Sequence, residues 1–404
     1  MTEAAEFGRI VLITAVGFAA AIISSRLSER LRLPAPALFL AAAAIASDLA
    51  PQLGRVLSIR DVERIGVVAL IVILFDGGME IGWTRARAAL APIVGLGVLG
   101  TFAVAGLLAA IMHGAFGLSW TSALLVGAAL APTDPAVMFS VLGGREIAGR
   151  SAVILQGESG ANDPVGIALM LGLLEVATAN GSAASIAVGF VIEMTVGLAV
   201  GVAGGLLLSR LMTRTALPDA ALYPLQTLAA AGVIYGLASV LHGSGFLAVF
   251  VAGLLIADVR APFKAQIEHF HTALASLAEI VVFVALGLTV DLGNLDFRHV
   301  VVDGLVLALL LTFIVRPLVV TVLLAPALLT RGEKTFVAWA GLRGAVPILL
   351  AAFALLEGAA DARRIYGLVF VVVMFSVVVQ GSLVQTVARR TGVPMERVAQ
   401  DPWP

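Results

Sequence analysis

The chain has 404 residues, of which 60% are hydrophobic and only 13% charged, with a formal net charge of −1 and no cysteine. A soluble domain carries nearer one quarter charged residues, so that class is excluded. No basic cluster invites nucleic acid, and disulfide, thiolate and cysteine–metal chemistry are ruled out. Apolar runs of about 20 residues recur instead, the length that crosses a bilayer as a helix. The composition predicts an all-α polytopic membrane protein.

In chain order, the runs predict about thirteen spans, near 7–27, 33–50, 62–81, 88–112, 119–141, 151–178, 184–209, 220–241, 244–258, 271–290, 300–328, 335–356 and 364–387. The first lacks a basic leader and reads as a retained helix, not a signal peptide. The longest polar gap, Ala50 to Asp61, holds no soluble domain, and no soluble partner is implied. Sixteen of the 25 Lys and Arg fall in loops after odd-numbered spans or in the tail, among them Arg85, Arg87, Arg145 and Arg150. Seven fall on the other side, and Arg316 and Arg343 lie within spans. The positive-inside bias puts the N-terminus outside and the C-terminus in the cytoplasm.

Span five is interrupted by A-P-T-D-P (Ala131–Pro135) and span twelve by G-L-R-G-A-V-P (Gly341–Pro347). Each proline removes a backbone donor and clashes with the preceding turn. Helices broken at matching positions in two halves point to an inverted-repeat transport site, with spans one to six and eight to thirteen as repeats around span seven. Carbonyls freed at such breaks can coordinate a cation. Asp134 and Arg343 bring opposite charges to half-helix ends whose dipoles are otherwise unopposed.

The densest polar stretch is Gln156–Leu169, Q-G-E-S-G-A-N-D-P-V-G-I-A-L. An acid at mid-membrane costs roughly 2.5–3.5 kcal/mol on insertion scales, so two in six residues are not passive. Glu158 and Asn162 share a helix face, as do Ser159 and Asp163. Asp163 is the candidate carrier of a proton or a dehydrated monovalent cation, and Asn162 supplies neutral hydrogen bonds. A carboxylate that holds one or the other couples the two flows by competition. Thr133 offers a hydroxyl and a freed carbonyl, Asp134 an outer carboxylate, and Asp76, in I-L-F-D-G-G-M-E-I, a ligand from a third helix.

Glu158 and Arg343 read as a structural ion bridge bracing the crossed helices, because a lone buried charge is costly. Arg316, before Pro317, is assigned to carbonyls or an acid at its kink. Glu175, Glu193, Glu279 and Asp303 are lone acids whose default is packing or interfacial exposure. The histidines, His113, His242, His269, His271 and His299, fall at span ends, where His269 and His271 could sense cytoplasmic pH.

Taken together, T-D-P, E-S-G-A-N-D-P, F-D-G-G and G-L-R-G-A-V-P resemble the cation–proton antiporter superfamily, in its bacterial NhaP-type branch related to the animal sodium/hydrogen exchangers. The resemblance covers nearly the whole chain. It implies a homodimer in the bacterial inner membrane that works without a cofactor and exchanges Na+ or K+ for H+. It implies dimerisation segments at 1–87 and 179–299, a mobile core at 88–178 and 300–388, and a short tail at 389–404. The core, with two crossed discontinuous helices, would move like an elevator. By similarity, Asp163 carries the ion, with Ser159, the Thr133 carbonyl, Asp134 and Asp76 completing coordination and Glu158 bridging to Arg343. The Asn162–Asp163 pair is associated in that family with electroneutral one-for-one exchange. The family often has glutamate where this chain has Asp76. The F-D-G-G and E-S-G-A-N-D-P wording also looks like a potassium/proton subgroup, which leaves Na+ and K+ both open.

Two other classes compete. Gly157–Gly160 is a G-x-S-G tetrad like that of intramembrane serine proteases, but Ser159 would need a histidine base and no span places one near mid-depth. A passive cation channel needs a continuous polar lining or carbonyl rings around an axis, whereas these acids sit beside broken helices in one chain. The residues read as a transporter, not an enzyme.

Overall fold

The computed structural model describes residues 34–50, 57–134, 137–138, 145–179, 183–290, 292–293 and 296–397. The helices in chain order are α1 (Ala35–Leu49), α2 (Ile59–Ile81), α3 (Trp83–Ala88), α4 (Leu90–Phe116), α5 (Trp120–Leu130), α6 (Arg150–Ala179), α7 (Ala183–Arg214) and α8 (Leu222–Val240). They continue with α9 (Gly245–Ala257), α10 (Lys264–Leu288), α11 (Phe297–Leu323), α12 (Arg331–Ala340), α13 (Ala345–Leu356), α14 (Ala362–Gln380) and α15 (Val384–Thr391). Strands β1 (Arg145–Ile147) and β2 (Met395–Arg397) pair antiparallel in a three-residue ribbon.

Among the described residues, seven helices are long and apolar enough to cross a membrane, with α12 and α13 counted as one interrupted span. Three shorter apolar helices, α1, α5 and α9, accompany them. The first expected span, residues 7–27, lies outside the described residues, so the count of thirteen stays an expectation. Pro135 of the first break lies outside them too.

Helix ends follow local chemistry. Ser58 and Asp61 form a reciprocal capping box at the start of α2, and Thr330 and Glu333 form another at α12. Ser244 accepts from the Leu247 N–H to start α9. Packing is governed by small residues, as expected where lipid removes the hydrophobic drive between helices. Gly197, Gly201 and Gly205 make a stripe on α7 that admits the backbone of Ser244, Ala248 and Ala252. Gly78 of α2 and Gly253 of α9 press against each other's backbones. The rest of α7 faces outward: in its most apolar window only 11% is buried.

The interrupted spans sit in the best-buried part of the chain. The span made of α12 and α13 is 83% buried in its apolar window. Around it pack α5, α6 and α14, while α2 and α10 close the opposite side.

Candidate functional site

Two backbone breaks meet in the interior. α5 ends at Leu130, where Pro132 cannot continue it, and α12 ends at Ala340 before the non-helical stretch 341–344. They are joined directly: the Asp134 N–H donates to the Leu342 carbonyl at 2.8 Å. A methyl group at Gly344 would collide with the Asp134 carboxylate. Asp134 therefore sits at the N-terminal end of α13, where the helix dipole favours an anion.

Arg343 serves the opposite pole. Its Nε donates to the carbonyl of Leu130, the last residue of α5, at 3.1 Å, and its Nη1 donates to the carbonyl of Gly341 at the end of α12. Its backbone N–H donates to Ser376 Oγ at 2.9 Å. One guanidinium thus caps two helix C-termini, where cations are favoured.

This explains a departure from expectation. Glu158 does not bridge to Arg343; it pairs with Arg316. Arg316 Nη2 lies 2.8 Å from Glu158 Oε2, while Nη1 reaches Oε1. Glu158 and Arg316 are 1% and 2% exposed, so each would be costly alone. The orphan carbonyls of the breaks claim Arg343 and leave Arg316, beside Pro317 of α11, for the acid.

α6 is fastened to the first break through Thr133. Ser159 Oγ donates to the Thr133 carbonyl at 2.7 Å, and Asn162 Nδ2 donates to Thr133 Oγ1 at 2.8 Å. These donors are three residues apart on one helix face. Asp163 follows on that face, 5% exposed, with a buried Oδ1 that no donor reaches among the described residues. The Asn162 Oδ1 is likewise buried and unpartnered. Two bare oxygens beside a proline-broken backbone fit a cation, which needs acceptors and offers no acceptor in return. Pro164 withdraws one N–H from α6 next to the site, the helix continues through it, and Gly166 packs close to the Pro132 ring.

A cavity of about 1200 Å³ reaches this point from an exposed rim at Arg85 and Arg150. Asp134, Ser159 and Asp163 line it from one side. Asp76 lines it from the other, 6% exposed, its Oδ1 accepting from Thr272 Oγ1 at 3.3 Å. The structure thus brings Asp76, Thr133, Asp134, Ser159, Asn162 and Asp163 to one region. Asp76 lies within α2 and is buried among its neighbours.

A model of the family described as "Sodium/hydrogen exchanger, transmembrane" matches residues 17–390. The chain belongs to that family. It is 37% identical over 396 residues to the K(+)/H(+) antiporter NhaP of Alkalimonas amylolytica, covering 96% of this chain and 68% of that protein. It is 32% identical to the K(+)/H(+) antiporter NhaP2 of Shewanella sp. (strain MR-4), with 97% and 69% covered. The Na(+)/H(+) antiporter ApNhaP of Aphanothece halophytica is 28% identical over 83% of this chain and 66% of its own length. The fold superimposes on the sodium proton antiporter MjNhaP1 of Methanocaldococcus jannaschii with a TM-score of 0.81 at 22% identity, covering 96% of this chain and 99% of that one. The exchanger is thus a multi-pass membrane cation/proton antiporter and not an enzyme.

In this exchanger the Ser159 hydroxyl donates to the Thr133 carbonyl, which cannot serve as the base that a serine nucleophile needs. Sequence reasoning misplaced one histidine. α10 starts at Lys264, not near 271, so His271 lies two turns inside it, fully buried, with Nε2 2.8 Å from Thr227 Oγ1 and its ring against Phe75. The polar run from Lys264 to Thr272 hid that start. Thr272 and Glu279 were also missed as cavity residues. The signal that finds them is spacing: Glu268, Thr272, Ser276 and Glu279 lie four, four and three apart, a polar row that carries on into the apolar half of the helix.

Proposed function

We propose that this exchanger carries one monovalent cation, K+ or Na+, against one proton, with the two competing for Asp163. The observation that carries the proposal is the Asp163 carboxylate itself, buried beside the crossed breaks with an unpartnered oxygen and lining a cavity that reaches an exposed rim. A proton neutralises it by forming O–H, and a dehydrated cation does so by coordination; neither leaves room for the other. Ser159, Asn162, the Thr133 carbonyl, Asp134 and Asp76 complete the oxygen set around the bound ion. K+ is the first cation to test, since the 37% and 32% identical relatives are both named as K(+)/H(+) antiporters.

The exchange proceeds by an elevator-like movement of segments 88–178 and 300–388 against segments 1–87 and 179–299. Supporting this, the cavity lies on the seam between those groups: α2, α9 and α10 on one wall, Asp134, α6 and α13 on the other. The exchanger works as a homodimer in the bacterial inner membrane, N-terminus outside and C-terminus in the cytoplasm. The uncovered apolar face of α7 supports a neighbour of lipid or a second copy there. With that orientation the rim at Arg85 and Arg150 faces the cytoplasm.

The test is dissipation of a pH gradient in proteoliposomes on addition of K+ or Na+. Wild type should collapse the gradient with saturating dependence on the cation, and Asp163→Asn should not. Full activity in Asp163→Ala, or a flux independent of the proton gradient, would refute the carrier.

A further inference from the structure

The proposed carrier site centres on α6 and the two breaks, but the facing wall also carries acids towards it. α10 turns the stripe Glu268, Thr272, Ser276 and Glu279 to the cavity. Eleven residues of helix carry it about 16 Å from the exposed Glu268 towards the interior. Two rungs already have partners: Thr272 donates to Asp76, and Ser276 Oγ donates to the Thr272 carbonyl at 2.9 Å. Glu268 has Lys264 at 3.5 Å. Glu279, at the inner end, differs. The residue is half-buried, but its Oε1 is buried and, among the described residues, meets no donor.

Glu279 lies within electrostatic range of Asp134, which in turn acts on Asp163. Among the described residues, the cations lining the cavity, Arg85 and Arg150, sit at its rim, not beside Glu279. A buried carboxylate with an empty acceptor costs free energy unless something positive is there to share it. The cavity supplies a path for that charge, and the unpartnered Oδ1 of Asp163 lies at its end.

We propose that Glu279, within electrostatic range of the Asp134 ligand, forms an outer carboxylate station where an incoming monovalent cation gives up part of its water before it displaces the proton on Asp163. The inference rests on Asp163 being the shared carrier. The station sets cation affinity from the wall opposite the carrier, and the released proton leaves to cavity water.

The test is the cation dependence of exchange in proteoliposomes, with K+ and Na+ titrated separately. Glu279→Gln, nearly isosteric, should raise the apparent KM for the cation about tenfold, as loss of one nearby charge in a partly screened interior demands, while the maximal rate falls far less. Glu268→Gln, at the exposed end, should show a smaller rise that disappears at about 0.5 M ionic strength, whereas the Glu279→Gln effect persists. An unchanged KM in Glu279→Gln, or a lower maximal rate at unchanged KM, would overturn the station. If Glu279→Gln fails to insert, Glu279→Asp applies the same criterion: a smaller rise in KM supports the station, and none rejects it. Asp163→Asn separates the two levels. Loss of exchange there with a wild-type KM in Glu279→Gln removes the station alone, while retained exchange removes the carrier on which it depends.

Discussion

Glu158 and Arg316 grip each other through both carboxylate oxygens in the interior, 158 residues apart in sequence. The pair joins α6, which bears the candidate carrier, to α11 beside Pro317. Arg316 Nη2 also reaches the Val337 carbonyl of α12 at 3.4 Å. Three spans are therefore tied by one guanidinium. Truncating one member of such a pair strands the other charge.

Glu158→Gln and Arg316→Gln should each lower stability by about 3–5 kcal/mol, and the double variant should lose much less than the sum. Thermal unfolding in detergent, followed by fluorescence-detected gel filtration, measures this. Glu158→Gln with Arg343→Gln should instead be nearly additive. Strong coupling in that second cycle would return Arg343 to Glu158 and contradict the pairing described here.

Thr133 holds α6 by two different atoms, and one substitution separates them. Thr133→Val keeps the carbonyl that accepts from Ser159 but removes the hydroxyl that accepts from Asn162. A lost buried hydrogen bond is worth about 1–1.5 kcal/mol, or roughly a tenfold weaker apparent cation affinity. Thr133→Ser should restore it. Equal KM values for Thr133→Val and wild type would show that Asn162 needs no such anchor.

At Gly344 the constraint is space. Its Cα abuts the Asp134 carboxylate, so Gly344→Ala must push the acid or the N-terminus of α13 aside. Overpacking of this kind costs about 1–3 kcal/mol. Exchange should fall by more than the yield of folded protein does, because the displaced group lines the ion cavity. Wild-type transport in Gly344→Ala would mean that the crossing is looser than it is drawn here.

Competition at one carboxylate fixes a pH signature. Where Asp163 is mostly protonated, each unit fall in pH should raise the apparent cation KM by about tenfold, and saturating cation should recover the same maximal rate. Initial rates of gradient dissipation across a pH series, at several cation concentrations, give the slope. A KM that ignores pH while the maximal rate collapses would point to a separate proton site.

Much of the architecture could be read from residues alone, for a physical reason. A bilayer demands about 20 apolar residues per helix, and proline or paired glycine inside such a run has few other meanings. Hence the breaks at 131–135 and 341–347, and the polar face of Ser159, Asn162 and Asp163, stood out. The partner of Glu158 did not, because two arginines of similar context compete for it and only the crossing of helices decides. Half-helix ends at Leu130 and Gly341 claim Arg343, and nothing in the linear order announces those vacant carbonyls. Glu279 was overlooked for a different cause. Its companions are three and four residues apart, and a lone acid weighed singly conceals the row it belongs to.

The bond from the Asp134 amide to Leu342 has a mechanical meaning. It ties the two interrupted helices together at the point where they cross, a link worth about 0.5–1.5 kcal/mol. Under the proposed movement of segments 88–178 and 300–388, that bond would keep the two breaks in register, so that the oxygens around a carried ion travel together.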